Sequence, residues 1–368
     1  MMLYAFRMLR RQPMRLTATI GGMTLCVILT LFLHSVYEGV ERGSMSYIQS
    51  IPADIWLLQE GTSNILRGTS ILPAPLEDAI RESPGVGSAG SLLLLLTTLE
   101  TPSGASTVYL ASFCGDPSLG AMPALIQGRQ ISGDDEIVLD RAFARKNGLT
   151  LGDRVELRGE ALRVVGIADG TNMVVIQYAF VSRARARSLI QQARIVTAVL
   201  VRTESGTDCL RTARALMEEF PGLVAYTRNE FLANNLREVR SGILPLLFAV
   251  ALMGSVLLTG ILGTLLTITI MEQKREFAVL KTIGAPPGFI PRVVITQGAL
   301  LAIAGFAAGC LTFPAVVAAI ELLAPEVTPQ LTGAGIGSVL MLAALAALLG
   351  TIGGLLRLRS VYPQEAFR

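Results

Sequence analysis

Histidine and cysteine carry much of the metal and nucleophile chemistry of proteins, and this 368-residue chain holds one His and four Cys. His34 stands alone, so neither a Ser-His-Asp arrangement nor a His-based metal site can be assembled around it. Cys26 and Cys310 sit in apolar runs. Cys114 and Cys209 lie in the polar middle of the chain without the short spacings of a thiolate metal site. In an oxidising compartment a Cys114–Cys209 disulfide is open to them. Carboxylates cluster in "SGDDE" at 132–136, where a loop before a strand accounts for them as well as a site would. Cradling a nucleotide's phosphates takes a G-x-x-x-x-G-K-[ST] loop, and none occurs. The expectation is a chain with no catalytic residues, no metal and no bound cofactor, and so not an enzyme by itself.

The spacing that does suggest a task is "ITIMEQKREFAVLKTIGAPPGFIPR", ending at Arg292. As a helix over 271–284 it sets Phe277, Leu280 and Ile283 at i, i+3 and i+6 as a narrow apolar stripe, with charges elsewhere. Gly284 supplies a left-handed stop, and Pro286 and Pro287 forbid continuation. Such a short capped helix serves recognition, as a docking element or as an amphipathic linker on lipid headgroups.

Apolar sequence flanks it on both sides. The chain is 51% hydrophobic and 16% charged, against about a quarter charged in soluble domains. Runs without charge cover 16–37, 241–271, 293–320 and 327–356, and about 20 apolar residues cross a bilayer core. The first run exceeds a usual signal-peptide core, and "FLHSVYEG" offers no cleavage pattern, so it reads as a retained helix ending near His34. Arg7, Arg10, Arg11 and Arg15 precede it without an acid. With the basic segment 272–292 and the tail Arg357, Arg359 and Arg368, they place both termini in the cytoplasm of a multi-pass inner-membrane protein. The expected order is a cytoplasmic start (1–15), span (16–39), extracytoplasmic domain (40–241), span (242–271), cytoplasmic helix and turn (272–290), span (291–320), outer loop (321–333), span (334–356) and tail (357–368). The +3 net charge is thus a topology signal, and no nucleic-acid partner is expected.

Two stretches of the extracytoplasmic segment repeat a pattern. "ADIWLLQ", "PLEDAIRESPGV" and the run 91–99 form one, "IVTAVLVRT", "DCLRTARALMEEFPGL" and "VAYT" the other. Each reads as strand, amphipathic helix and strand, giving the halves of a ferredoxin-like α+β sandwich around a strand-rich insert at about 104–194. Within the insert Asp140 and Ser182 are expected helix caps, Gly148 a helix stop, and Arg183, Arg185 and Arg187 a solvated face. The fold class is therefore an α-helical membrane protein with four spans plus an α+β domain. The second span's 31 uncharged residues would reach about 46 Å, so it is expected to project beyond the membrane. Gly305 with Gly309, and Gly350 with Gly354, permit close helix contacts within a chain or across a dimer.

"EQKREFAVLKTIGA" resembles the segment after the second span of FtsX-like ABC-transporter permeases, and the tail "RLRSVYPQEAFR" resembles the ending of that family. "GRQISGDDEIVLDRAFARKNGLTLGDRVEL" with "LRVVGIAD" resembles the MacB-like periplasmic core domain. The resemblance covers essentially the whole chain. It implies a stand-alone permease, similar to DevC-like and lipoprotein-releasing permeases, because the chain begins almost at its first span. It further implies a partner ATPase carrying ATP and Mg, a homodimer, and a periplasmic adaptor among the candidate partners. Glu272, Arg275 and Glu276 would make polar contacts with that ATPase, with Lys281 beside them. Phe277, Ala278 and Leu280 would fill its groove, and Gly284 and Ala285 would turn the chain back. The prolines of "GAPPGF" depart from the family's usual polar residues there. The expected action is mechanotransmission: export or extraction of a hydrophobic or amphiphilic substrate. The alternative is an FtsX-style regulator of an extracytoplasmic cell-wall hydrolase; an anchored sensor without an ATPase is a third reading.

Overall fold

The computed structural model describes residues 13–116, 119, 123–173, 176–190, 194–242, 244–286 and 288–359. The basic start through residue 12, Pro287 and the tail 360–368 lie outside the described residues. The chain divides into two units, one of 1–38, 246–320 and 329–368, the other of 39–245 and 321–328.

The first unit is built from helices long and apolar enough to cross a membrane: α1 (Pro13–Ser50), α7 (Leu244–Glu272), α9 (Phe289–Leu323) and α10 (Gly333–Arg359). Small residues set their packing. A Cβ added at Gly305 would lie 2.5 Å from the Met23 Cβ of α1, and one at Gly309 2.5 Å from Val27. These glycines therefore serve α1–α9 contact inside one chain. At Gly350 and Gly354 a Cβ would meet Leu266 and Ile270 of α7, each at 2.7 Å.

The second unit follows from alternation along its strands. In β1 (Ile55–Gln59), Ile55 and Leu57 join one core while Trp56 and Leu58 join another; period-2 side chains of a strand buried on both faces do this. β11 (Ala198–Thr203) repeats it: Val199 and Val201 face one core, Ala198 and Leu200 the other. Helices α2 (Leu76–Arg81) and α5 (Cys209–Glu219) close the first core. The end of α1, with Tyr47 and Ile48, Ile51 just beyond it, and α6 (Arg228–Ser241) close the second. There Phe231 of α6 stacks on Trp56 at 4.2 Å.

Strand β12 (Leu223–Thr227), β1, β11 and β3 (Val86–Thr101) lie side by side in that order, all antiparallel. The two strand-helix-strand repeats thus interleave as a ferredoxin-like sheet. The insert continues the same sheet: β4 (Gly104–Gly115) pairs with β3 along its length, then come β9 (Gln177–Val181), β6 (Glu136–Asp140), β8 (Glu160–Ala168) and β5 (Leu125–Gly128). β7 (Arg154–Leu157) pairs with β8 and meets β3 at Glu100↔Glu156. This closes β3-β4-β9-β6-β8-β7 into a ring around Leu99, Leu110, Ile137, Val155 and Val164. Asp140 caps α3 (Arg141–Lys146) by accepting from the Ala142 and Phe143 amides, and Gly148 follows with φ 63°. Ser182 caps α4 (Arg183–Leu189).

Two expectations are refined. The second span's 29 residues reach about 44 Å, beyond a bilayer core of about 30 Å as expected, but α1 is longer, its 38 residues reaching about 57 Å. Gly242 ends α6, its amide bonding Glu238 O at 3.0 Å, and α7 begins afresh at Leu244–Pro245, where a proline suits a helix start. Cys114 and Cys209 are not bonded; both are free thiols. Ser91 of β3 lies between Cys114 and Val199, which puts those two strands about 9.6 Å apart. The Cys209 sulfur rests against Thr203, four residues beyond Val199, out of disulfide reach.

Candidate functional site

The segment between α7 and α9 is two helices and a turn. α7 ends at Glu272, Gln273 is a turn residue, and α8 runs Lys274–Thr282. Gln273 is buried, and its Oε1 accepts a hydrogen bond from the Gln297 amide of α9 at 3.0 Å. A buried amide pair of this kind fixes where the helix axis changes. Neither glutamine stood out by charge or spacing. The signal available was Gln297 itself, a long polar side chain in a run without charge.

Downstream, Gly284 adopts φ 87°, and the Ala285 amide bonds Leu280 O at 3.1 Å. A residue with a Cβ resists that conformation, so glycine ends the helix there.

α8 folds back on its neighbours. Phe277 and Ala278, each 1% exposed, pack with Ile270 of α7 and Val293 and Val294 of α9. Leu280, Phe289, Ile290 and Leu355 surround that core. A ring buried inside its own chain is not available to fill a partner's groove, so Phe277 and Ala278 are clamps and not knobs. Leu280 is half-buried against the same core. The outward face of α8 holds Arg275, Val279 and Thr282, with Glu276 at its margin; exposed Glu272 precedes it at the end of α7, and Ile283, 78% exposed, follows it. These positions recur at helical spacing. The Lys281 side chain lies outside the described residues. The face thus offers charges of both signs around two exposed aliphatic side chains, which suits a polar-rimmed protein contact. Among the described residues no group of His, Cys, Asp and Glu could hold a metal.

Comparison with known proteins agrees with this layout. The model of the MacB-like periplasmic core domain matches residues 16–218, and that of the FtsX-like permease C-terminal matches 248–363. An uncharacterized ABC transporter permease of Mycobacterium tuberculosis H37Rv is 26% identical over 375 residues, covering 100% of this chain and 99% of the relative. Another, from Mycobacterium bovis, is 22% identical over 373 residues at the same coverage. Among solved structures, the periplasmic region of MacB from Actinobacillus actinomycetemcomitans aligns with TM-score 0.40 and 14% identity over 50% of this chain and 92% of that one. The extracellular domain of the ABC-type transporter YknZ from Gram-positive bacteria aligns with TM-score 0.38 and 14% identity, over 48% of this chain and 100% of that one. With both halves matched in order, the chain belongs to the ABC-transporter permeases that join a MacB-like periplasmic core domain to an FtsX-like permease C-terminal region.

Proposed function

We propose that this permease relays the motion of a separate cytoplasmic ABC ATPase to its sheet unit, with α8 as the docking element, and so exports or extracts a hydrophobic or amphiphilic substrate. The observation that carries the reading is the clamping of α8: its inward face is locked by Phe277 and Ala278 onto the ends of α7 and α9. A push on the outward face then moves two membrane helices at once, where a loose linker would absorb it. The continuity of α1, which contributes residues to both units, supports relay over passage through a polar channel. Two copies would pair with two ATPases. The orientation that suits this places both termini and α8 in the cytoplasm of the inner membrane, with the ATP and Mg held by the partner.

The test is co-purification of the tagged full chain in detergent with the ATPases of its own cell, beside a Val279→Glu/Ile283→Glu variant. Both positions are exposed, so the variant keeps its fold. Recovery of an ABC ATPase with the parent and its loss with the variant is the expected result. Equal recovery with both would remove α8 from the interface, and no recovery under nucleotide-free or ATP-bound conditions would remove the ATPase.

A further inference from the structure

One side of the insert carries a polar pocket that the permease role leaves unused. Ser91 and Leu93 of β3 pair across the sheet with Cys114 and Ser112 of β4, so the four side chains share one face. Helix α4 lies over that face, and Arg183 and Arg187, one turn apart, line the pocket with Ile195 and Val196 of β10 (Ile195–Val196), which pairs with the short β2 (Leu72–Pro73). The cavity volume is about 10 Å³ beneath an open mouth, room for a single molecule about the size of water.

Each polar group there has a distinct state. The Arg183 guanidinium lies against the Cys114 sulfur and 3.6 Å from Glu77 Oε2. Glu77 is buried and already held, accepting from the Ser91 hydroxyl at 2.6 Å and from Arg81 at 2.5 Å. Arg187 makes no side-chain hydrogen bond or ion pair among the described residues. The Ser112 hydroxyl is buried, 4% exposed as a residue, and has no partner among the described residues. An orphaned buried hydroxyl costs stability unless something small visits it. Cys114 is a free, half-buried thiol.

From this arrangement we infer that Cys114 is a site of reversible oxidation by a small hydroperoxide. The guanidinium groups of Arg183 and Arg187 lining the pocket can stabilise the negative charge that develops on the departing peroxide oxygen, and susceptibility to oxidation follows access. The Ser112 hydroxyl and Arg187 supply donors for a peroxide oxygen. The sulfur attacks one peroxide oxygen and the O–O bond breaks. The departing hydroxide takes up the thiol's proton as water, leaving cysteine sulfenic acid; sulfur is oxidised and the peroxide reduced. A thiol reductant returns Cys114 through a mixed disulfide. Cys209 is the internal reference: it is also free and half-buried, but its sulfur meets the Thr203 hydroxyl and, among the described residues, no cation.

The test treats the full chain in detergent with hydrogen peroxide, traps sulfenic acid with dimedone and reads each cysteine by peptide mass spectrometry. Cys114 is expected to be labelled about tenfold faster than Cys209, with Arg187→Gln and Ser112→Ala each slowing it severalfold at unchanged melting temperature. Arg183→Ala is unsuitable as the sole test, because it strips a cation from buried Glu77. Labelling of Cys114 no faster than Cys209, or rates unmoved by both variants, overturns the inference.

Discussion

The side-chain amide of Gln297 donates to Gln273 Oε1 at 3.0 Å in a buried setting, tying the start of α8 to the α9 helix that follows it. Replacing Gln297 by Leu strands the Gln273 carbonyl and is expected to cost about 1–3 kcal/mol. Thermal unfolding in detergent measures it. The Gln273→Leu/Gln297→Leu double variant should recover part of the loss, since no buried polar atom is then left alone.

Phe277 and Ile283 should answer truncation oppositely. Phe277→Ala empties a closed core and is expected to destabilise by about 3–5 kcal/mol, while Ile283→Ala at an exposed position should stay within about 0.5 kcal/mol. Melting temperatures of the two purified variants check this. In ATPase pull-down the ranking should reverse for any Phe277 variant that still folds.

The glycines of α9 and α7 differ in the same way. Gly309→Ala drives a methyl to within 2.5 Å of the Val27 side chain and should cost about 1–3 kcal/mol through overpacking. At Gly260 a Cβ meets nothing within 4 Å, so Gly260→Ala should be neutral or stabilising by a few tenths, up to about 1 kcal/mol. Detergent-resistant yield after heating separates them.

Acid should loosen the insert through Glu136. The hydrogen bond from Arg129, joined by the Ser132 and Gly133 amides, holds its carboxyl well below the usual carboxylate range. A carboxyl lowered on folding contributes stability that is complete above its unfolded value, about 4.3, and is lost as pH falls toward the folded one. Melting followed from pH 6 to pH 3 should therefore fall more steeply for the parent than for Glu136→Gln.

The four membrane helices were legible because length and lack of charge suffice to find them. So were the strand-helix-strand repeats, whose apolar faces follow from period alone. The outward face of α8 was not. Phe277, Leu280 and Ile283 look like one stripe, yet six residues turn a helix by about 600°, which leaves Ile283 about 120° from Phe277. The ring eventually clamps inward and the isoleucine points away. The second span's projection rests on its 31 uncharged residues, and Gly242 with Pro245 is the signal that it starts afresh after α6. Arg183 and Arg187 looked like a solvated face because three arginines at alternate positions usually are one. The fold draws all three in: Arg183 and Arg187 line the pocket beside β4, and Arg185, its side chain 15% exposed, pairs with Glu160 and donates to Asp134 O.

Where the strand ring closes, Glu100 and Glu156 face each other as partners, both exposed. Like charges opposite one another weaken a cross-strand contact, so the closure acts as a zipper's free end. Transient opening should start at β7 and run toward β8, leaving the β3–β4 ribbon intact. Amide exchange would then be fastest at Val155 and Glu156 and slowest along Leu92–Leu95, giving the insert a fixed order of breathing.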